Sequence, residues 1–249
     1  MTAPAFAPTG IRVENIEKRY GGLYALRRVS LEVAPGECVA FAGRNGSGKT
    51  TLLRIAARLV RPSAGTVSFV SLGGNGEPRV NDGVNPPLHA APSADASVGL
   101  VAHATMVYDE LSAEENLLMF AKLQGIAEPG ARAAGLLEEV GLSERRNSLV
   151  RTFSRGMRQR VAIGRALLND PSVLLLDEPA TGLDPEGITW LANTLRRMRD
   201  AGRTILMSLH GESEISALAT RAIRLDAGSV AADTRAGSEM RAILTFAGA

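Results

Sequence analysis

The stretch Gly43-Arg44-Asn45-Gly46-Ser47-Gly48-Lys49-Thr50-Thr51 fits the phosphate-binding pattern G-x-x-x-x-G-K-[ST] at every fixed position. Its glycines let the backbone turn tightly and bring successive N–H groups close to phosphate oxygens. Lys49 supplies a point charge for the β- and γ-phosphates, and the Thr50 hydroxyl is a hard oxygen ligand of the kind that Mg²⁺ accepts. The stretch therefore predicts a site for a nucleoside triphosphate, either ATP or GTP.

The residues on either side of this stretch have the patterns of a strand and a helix. The apolar run Glu37-Cys38-Val39-Ala40-Phe41-Ala42 predicts a buried strand, and Thr51-Leu52-Leu53-Arg54-Ile55-Ala56-Ala57 predicts a helix whose N-terminus favours anions. A strand, a glycine-rich loop and a helix are the context that the phosphate-binding pattern requires. This context argues against the alternative, a glycine-rich loop that matches by chance.

Length and composition favour one soluble domain. The 249 residues suffice for one large α/β domain or two small ones, and 28 basic residues against 26 acidic ones argue only weakly for nucleic acid. No stretch approaches the roughly 20 apolar residues that span a bilayer, and residues 1–8 lack the features of a signal peptide. The single cysteine, Cys38, excludes an intrachain disulfide and fits a reducing compartment. We expect a cytoplasmic chain with no nucleic-acid partner.

The segment before the phosphate loop has the period of β-strands. Ile11-Arg12-Val13-Glu14-Asn15-Ile16-Glu17-Lys18 alternates apolar and polar residues, and Leu26-Arg27-Arg28-Val29-Ser30-Leu31-Glu32-Val33 is compatible with the same period. Both are expected as antiparallel strands that flank the nucleotide. Between them, Tyr20 begins a glycine-containing turn, where its ring could stack on a purine or serve only in packing.

Residues 71–97 are rich in glycine, proline and asparagine and have no sustained period. We predict a long, flexible surface loop for this segment. Loops of this length are uncommon in compact domains, so disorder or a contact with a partner is needed to explain it.

The next segment predicts one strand and several helices. Residues 97–103 have the pattern of a strand that ends at His103. Ser112-Ala113-Glu114-Glu115 is a capping box, and the helix body that follows, Asn116-Leu117-Leu118-Met119-Phe120-Ala121-Lys122-Leu123, is apolar nearly all round. Such a helix is either buried or covered by another protein. Further helical patterns cover residues 130–140 and 155–168.

Two later strands end in polar side chains. Val173-Leu174-Leu175-Leu176-Asp177 is an apolar run that continues into Glu178, which would place both acids at the carboxyl edge of a parallel sheet. Asp177 can hold Mg²⁺ through water, and Glu178 can orient or deprotonate an attacking water. The alternative is a strand that ends in solvated acids. Residues 203–210 form a second such strand, which makes His210 a candidate sensor of the γ-phosphate.

Two further motifs carry a resemblance to a known family. Phe153-Ser154-Arg155-Gly156-Met157-Arg158-Gln159-Arg160 resembles the signature sequence of ABC ATPases, and Thr181-Gly182-Leu183-Asp184 resembles their D-loop. Together with Tyr20, the phosphate loop, His103, the Asp177-Glu178 pair and His210, these motifs follow the family's order from about residue 11 to residue 230.

The resemblance implies an α/β P-loop NTPase fold with a RecA-like core, an antiparallel β-subdomain and a helical subdomain. Residues 1–249 would form a single domain, in which residues 11–98 and 169–230 make the nucleotide-binding core with its β-subdomain. Residues 99–168 would make the helical subdomain with the signature, and residues 71–97 the flexible loop.

The resemblance also assigns roles to individual residues. ATP would contact Tyr20 and residues 43–51, and a second copy of the chain would contribute Ser154, Gly156 and Asp184 to the same nucleotide in a head-to-tail homodimer. The expected magnesium ligands are Thr50, Asp177 and His103. The expected catalytic residues are Lys49, Glu178 and His210.

The sequence departs from the family pattern at three positions. Arg155 replaces the first glycine of the signature and Met157 replaces its usual glutamine, so the contact across the dimer is expected to be weaker or differently shaped. His103 stands where most ABC ATPases carry a glutamine. A neutral imidazole can bind water or a metal ion through one nitrogen, whereas a protonated imidazole would oppose Mg²⁺.

This histidine also carries a narrower resemblance. Val101-Ala102-His103 and the segment 109–117 resemble the ATP-binding subunits of the haem exporters of cytochrome c maturation. The resemblance implies an ATPase subunit that works on a separate, multi-spanning membrane permease, peripheral to the inner face of the cell membrane. The alternative is the ATPase subunit of an exporter of drugs, antibiotics or lipids, which shares the 109–117 pattern. A second alternative is a soluble ABC ATPase with no role in transport.

Overall fold

The computed structural model describes residues 7–72, 78–81, 98–209, 214–235 and 237–245. Its strands are β1 (Thr9–Tyr20), β2 (Leu23–Val33), β3 (Cys38–Ala42), β4 (Ala64–Leu72), β5 (Pro78–Asn81), β6 (Val98–Val101), β7 (Val173–Asp177), β8 (Thr204–Ser208), β9 (Arg221–Asp226) and β10 (Ser229–Thr234). Its α-helices are α1 (Lys49–Ala56), α2 (Ala113–Leu123), α3 (Pro129–Glu139), α4 (Arg155–Ala166), α5 (Pro185–Asp200) and α6 (Gly237–Thr245). Short 3₁₀ helices lie at Ser143–Arg145, Val150–Thr152 and Ser216–Leu218.

The strand before the phosphate loop lies inside a sheet of six strands in the order β10-β9-β3-β8-β7-β6. Strands β9, β3, β8, β7 and β6 are parallel, and β10 pairs with β9 antiparallel. Strands β3, β7 and β8 are buried at every residue, which explains their continuous apolar sequences. Because parallel strands end at the same edge, the register sets Asp177 beside Ser208, close to the phosphate loop.

The first strands form a separate antiparallel sheet in the order β2-β1-β4-β5. The predicted strands at 11–18 and 26–33 are both present and are longer than the sequence pattern indicated. Their apolar side chains share one hydrophobic cluster with helix α1 and with Val39 and Phe41 of β3. This sheet therefore packs on one face of the core sheet.

Only part of the predicted loop at 71–97 lies within the described residues. Strand β4 continues to Leu72, and Pro78–Asn81 pairs with it as β5, so the prediction of an uninterrupted loop was wrong for these residues. A proline at the first position of an edge strand needs no ladder N–H, which is why a proline-rich segment can still supply one. Residues 73–77 and 82–97 lie outside the described residues.

Helices α2, α3 and α4 pack on one another as the helical subdomain. The predicted capping box is present, because Ser112 Oγ accepts from Glu115 N at 3.1 Å and Glu115 Oε2 accepts from Ser112 N at 2.7 Å. Helix α2 buries Leu117 against this subdomain but leaves Leu123 75% exposed. Of the described helices, none has the length and apolar character needed to cross a membrane.

Cys38 lies at the start of β3 and faces the opposite side of the core sheet from Val39. Its thiol is 1% exposed, and burial raises its pKa to about 12. The side chain therefore behaves as a small apolar residue of the core.

Candidate functional site

The phosphate loop joins the carboxyl end of β3 to the amino end of α1 and lines a cavity of about 280 Å³. Two of its glycines are required by the backbone. Gly43 and Gly48 have φ values of 137° and 110°, and a Cβ atom would lie 2.3 Å from Leu225 O at the first and 2.7 Å from Ala25 O at the second. The cavity wall consists of Tyr20, Ala25, residues 45–51 and Glu178.

Lys49 lies at the base of this cavity and is 5% exposed. Its Nζ donates to Gly43 O at 2.6 Å and to Arg44 O at 3.2 Å, so these two residues contribute through their carbonyls. Burial lowers the pKa of Lys49, and the carboxylates of Glu178 and Asp177 oppose that shift. An ammonium group has three donors, so Lys49 can also donate to a phosphate oxygen.

Thr50, which lines the cavity, meets Asp177 at the carboxyl end of β7. Thr50 Oγ1 donates to Asp177 Oδ1 at 2.9 Å, and Ser208 Oγ donates to the same oxygen at 2.8 Å. Asp177 Oδ2 is buried and has no hydrogen-bond partner among the residues that the structure describes. A buried carboxylate oxygen without a partner is costly, and a hard cation such as Mg²⁺ would satisfy it. The two side chains therefore fit a magnesium ion that also binds phosphate oxygens.

Glu178 begins the turn after β7 and has a left-handed backbone, with a φ of 52°. Its N–H donates to Ser208 Oγ at 2.9 Å. Its carboxylate oxygen Oε2 lies 3.3 Å from His103 Nδ1 and accepts from Thr181 Oγ1 at 3.4 Å. A non-glycine residue in this conformation is strained and is held there by its surroundings. The side chain of this strained residue lines the same cavity as the phosphate loop.

Ser154, Gly156 and Asp184 lie together at a second cavity, of about 230 Å³. Ser154 caps α4 by accepting from Met157 N at 3.3 Å, and Asp184 caps α5 by accepting from Gly187 N at 2.8 Å. Among the residues that the structure describes, none lines both cavities. Within one chain, the predicted site residues therefore fall into two groups.

A family model described as "ABC transporter" matches residues 26–181 of the chain, which is more than half of its length. The chain belongs to the ABC transporter family. It binds ATP and is an ATPase, and its fold is that of the ABC ATPase cassette.

Individual relatives agree with this family. Nod factor export ATP-binding protein I of Cupriavidus metallidurans is 36% identical over 220 residues, which cover 88% of this chain and 68% of that protein. A daunorubicin resistance ATP-binding protein of Streptomyces coeruleorubidus is 36% identical over 229 residues, covering 91% and 68%. Among solved structures, the dimeric ATP-binding cassette MJ0796 bound to ADP and Pi is 26% identical, with a TM-score of 0.74 over 90% of this chain and 98% of that one.

The ABC ATPase contains one site residue that sequence reasoning missed. Ser208, at the end of β8, is fully buried and bonds both to Asp177 Oδ1 and to the N–H of Glu178. The signal was available, because Ser208 ends an apolar strand in the same way that Asp177 does. The prediction instead selected His210, two residues later, which lies outside the described residues.

His103 and Arg155 are the departures from the family pattern with the clearest contacts. His103 was predicted as a third metal ligand, and in the structure its Nδ1 lies 3.3 Å from Glu178 Oε2. Arg155 lies directly over the D-loop glycine, since a Cβ atom on Gly182 would be 2.5 Å from Arg155 Nε. In this ABC ATPase the signature and the D-loop therefore touch within one chain.

Proposed function

We propose that this ATPase energises the export of a drug-like, antibiotic or lipidic molecule through a separate membrane permease. The names of its relatives support this proposal, since they refer to Nod factor export and to daunorubicin resistance. The same names do not support the other expectation from the sequence, haem export for cytochrome c biogenesis. Both substrate classes remain distinguishable by the experiment described below.

The observation that carries the catalytic part of the proposal is the chain of hydrogen bonds from Thr50 through Asp177 and Ser208 to Glu178. Thr50 and Asp177 would hold Mg²⁺, which neutralises charge on the β- and γ-phosphates. Glu178 would orient or deprotonate the attacking water from the same edge of the sheet. Lys49 would bind the phosphates directly.

The separation of the two cavities supports a head-to-tail homodimer. The first cavity offers Lys49 and Glu178, and the second offers the hydroxyl of Ser154 and the amino end of α4. A helix N-terminus favours a phosphate group. In a head-to-tail pair, the Ser154 cavity of each chain would cover the nucleotide of the other, and the similar cassette MJ0796 is described as dimeric.

The proposed permease would dock on exposed apolar side chains of the core and of the helical subdomain. We define this docking band by four exposed side chains, Leu59, Met106, Tyr108 and Leu123. A cavity of about 280 Å³ adjoins the band, with mainly apolar walls that include Leu53, Leu100 and Met106. A short apolar segment of a multi-spanning permease fits this chemistry. Such docking would place the ATPase on the inner face of the cell membrane.

The test uses tagged Glu178→Gln protein, recovered with Mg-ATP from detergent-solubilised membranes of its own host. The wild-type chain is then reconstituted with the recovered permease in liposomes, and its ATPase rate is measured with daunorubicin, with a phospholipid analogue and with haem. Lys49→Ala serves as the control, because any phosphate release that persists with this variant does not come from this ATPase.

Stimulation by daunorubicin or by the lipid analogue, and not by haem, is the expected result. Absorption in the Soret region of the purified complex, together with stimulation by haem alone, would overturn the proposed substrate class. Recovery of ribosomes or DNA in place of a permease would overturn the transport role and favour a soluble ATPase.

A further inference from the structure

Residues 100–108 run from the end of β6 toward α2 and include His103, whose Nδ1 lies 3.3 Å from Glu178 Oε2. Met106 within this segment has a φ of 51° and a side chain that is 53% exposed. A methionine in the left-handed region is strained, so the surrounding structure must hold it there.

Arg165 of α4 is the residue that holds this segment. Its Nη2 donates to Leu100 O at 3.2 Å and its Nη1 donates to Met106 O at 3.1 Å, so one guanidinium bonds to carbonyls on both sides of His103. The same group lies 5.3 Å from the ring centroid of Phe120. That ring is 6.1 Å from the ring of Tyr108, which belongs to the docking band.

Arg165 makes these contacts at a position where its charge is costly. No carboxylate of the described residues forms an ion pair with it, and burial lowers its pKa. An arginine remains charged in proteins, and two carbonyls and an aromatic face are the groups that offset the loss of water. A lysine cannot reproduce this arrangement, because it lacks the planar fork that reaches two carbonyls at once.

Asn116 of α2 fixes the far end of the segment. It is fully buried, its Oδ1 accepts from Tyr108 N at 2.7 Å, and its Nδ2 donates to Tyr108 O at 2.9 Å. The segment 100–108 is therefore anchored near its start, at Met106 and at its end. His103 is the polar side chain that projects between the first two anchors toward Glu178.

We propose that Arg165 is a positioning residue that sets the conformation of the His103 segment and links it to the docking band. A displacement of Phe120 or Tyr108 by a docked permease would move the guanidinium, and with it the carbonyls on both sides of His103. The side chain of Arg165 would then connect the nucleotide-facing side of the helical subdomain with its permease-facing side. The inference rests on the proposed roles of Glu178 and of the docking band.

The test compares Arg165→Lys with Arg132→Lys in the full chain. Arg132 of α3 is a matched control, because its guanidinium also donates to two backbone carbonyls, Leu168 O at 2.9 Å and Leu167 O, just beyond the carboxyl end of α4. Amide hydrogen exchange is measured without nucleotide, so the readout does not depend on hydrolysis. Turnover and ATP affinity are measured in the same variants, with and without His103→Ala.

Arg165→Lys is expected to speed exchange of the amides of residues 102–107 by about tenfold while leaving the core strands protected. It is expected to lower kcat by about tenfold and to leave the affinity for ATP within about twofold of wild type. In the His103→Ala background, adding Arg165→Lys should lower kcat by less than about twofold. Arg132→Lys should leave both readouts near wild type.

Unchanged exchange at residues 102–107, or kcat losses that multiply in the double variant, would overturn the proposal. If Arg165→Lys does not fold, Phe120→Leu tests the same anchor, because it removes the ring beneath the guanidinium and keeps the carbonyl bonds. It should raise exchange in the same segment, and protection equal to wild type would count against the anchor. Full activity in Glu178→Gln would instead refute the catalytic role of Glu178, whatever the exchange results.

Discussion

His103 Nδ1 lies 3.3 Å from Glu178 Oε2, so the residue that departs from the family pattern contacts the proposed catalytic base. The imidazole is 55% exposed and reaches the carboxylate from the start of the segment that precedes the helical subdomain. Oε2 also accepts from Thr181 Oγ1 in the D-loop. The carboxylate is therefore shared between two segments that are far apart in the sequence.

His103→Ala should lower kcat by about tenfold while leaving ATP affinity within about twofold, since the contact orients the base and does not touch the phosphate loop. Steady-state ATPase assays and equilibrium binding of a fluorescent ATP analogue measure the two effects. His103→Gln is the conservative control, because its amide can also donate to the carboxylate. Equal loss in both variants would mean that donation to the carboxylate is not what His103 contributes.

Glu178→Gln should keep ATP binding and slow turnover by at least ~10²-fold, with an accumulated ATP-bound dimer. The amide preserves the shape of the side chain but cannot accept a proton. Size-exclusion chromatography with Mg-ATP measures the dimer, and phosphate release measures turnover. Glu139→Gln, an exposed change at the end of α3, is the control. Full turnover in Glu178→Gln would remove it as the base.

Ser208→Ala should destabilise the chain by about 1–3 kcal/mol, because a buried N–H and a buried carboxylate oxygen each lose a partner. Turnover should fall as well, since both Asp177 and Glu178 are oriented by this hydroxyl. Thr194→Val is the matched control: Thr194 Oγ1 is buried without a hydrogen-bond partner among the described residues, so its removal should be neutral or stabilising. Denaturant unfolding gives both free energies of unfolding, and a harmless Ser208→Ala would show that the network is dispensable.

Leu123→Asp should leave ATP binding unchanged and impair recovery of the permease. The side chain is 75% exposed, so a charge there costs the isolated chain little but would be buried in the proposed complex. Lys122→Gln, at the neighbouring exposed position, lowers the net charge by the same one unit and controls for the change in charge. Permease recovered in equal amounts with both variants and with wild type would place the docking surface elsewhere.

Asp233→Asn should lower the melting temperature at neutral pH and have less effect in acid. Arg221 Nε and Nη2 donate to Asp233 at 2.7 and 2.6 Å, and these hydrogen bonds hold the pKa of Asp233 below its usual value. A lowered pKa gives stability above the unfolded pKa of about 3.9 that is lost as the pH falls through the folded pKa. Calorimetry should show that the difference in melting temperature between wild type and variant becomes smaller below about pH 4. A difference that does not change with pH would mean that the charge of Asp233 does not contribute.

Much of the fold could be predicted because its elements carry local signals. A few consecutive residues suffice to recognise the apolar runs of β3, β7 and β8. The same holds for the glycines of the phosphate loop and for the capping box at Ser112. The strand Pro78–Asn81 was missed because edge pairing with β4 is a tertiary property that a proline-rich sequence does not reveal.

The candidate site was predictable to the extent that it follows strand ends. Asp177 and Glu178 were found in this way, whereas Ser208 was overlooked because a serine at a strand end is common and its two hydrogen bonds come from the register of β7 and β8. The contacts of His103 with Glu178 and of Arg165 with the same segment join residues far apart in sequence. No local pattern carries that information.

The buried Cys38 has a practical consequence for all of these experiments. A thiol with a pKa of about 12 and almost no exposure does not react with maleimides at neutral pH. Since it is the only cysteine of the chain, the natural sequence already serves as a silent background for site-directed labelling. Spin labels or cross-linkers introduced at Ser154 or Leu123 would report distances across the proposed dimer and permease contacts without any prior cysteine replacement.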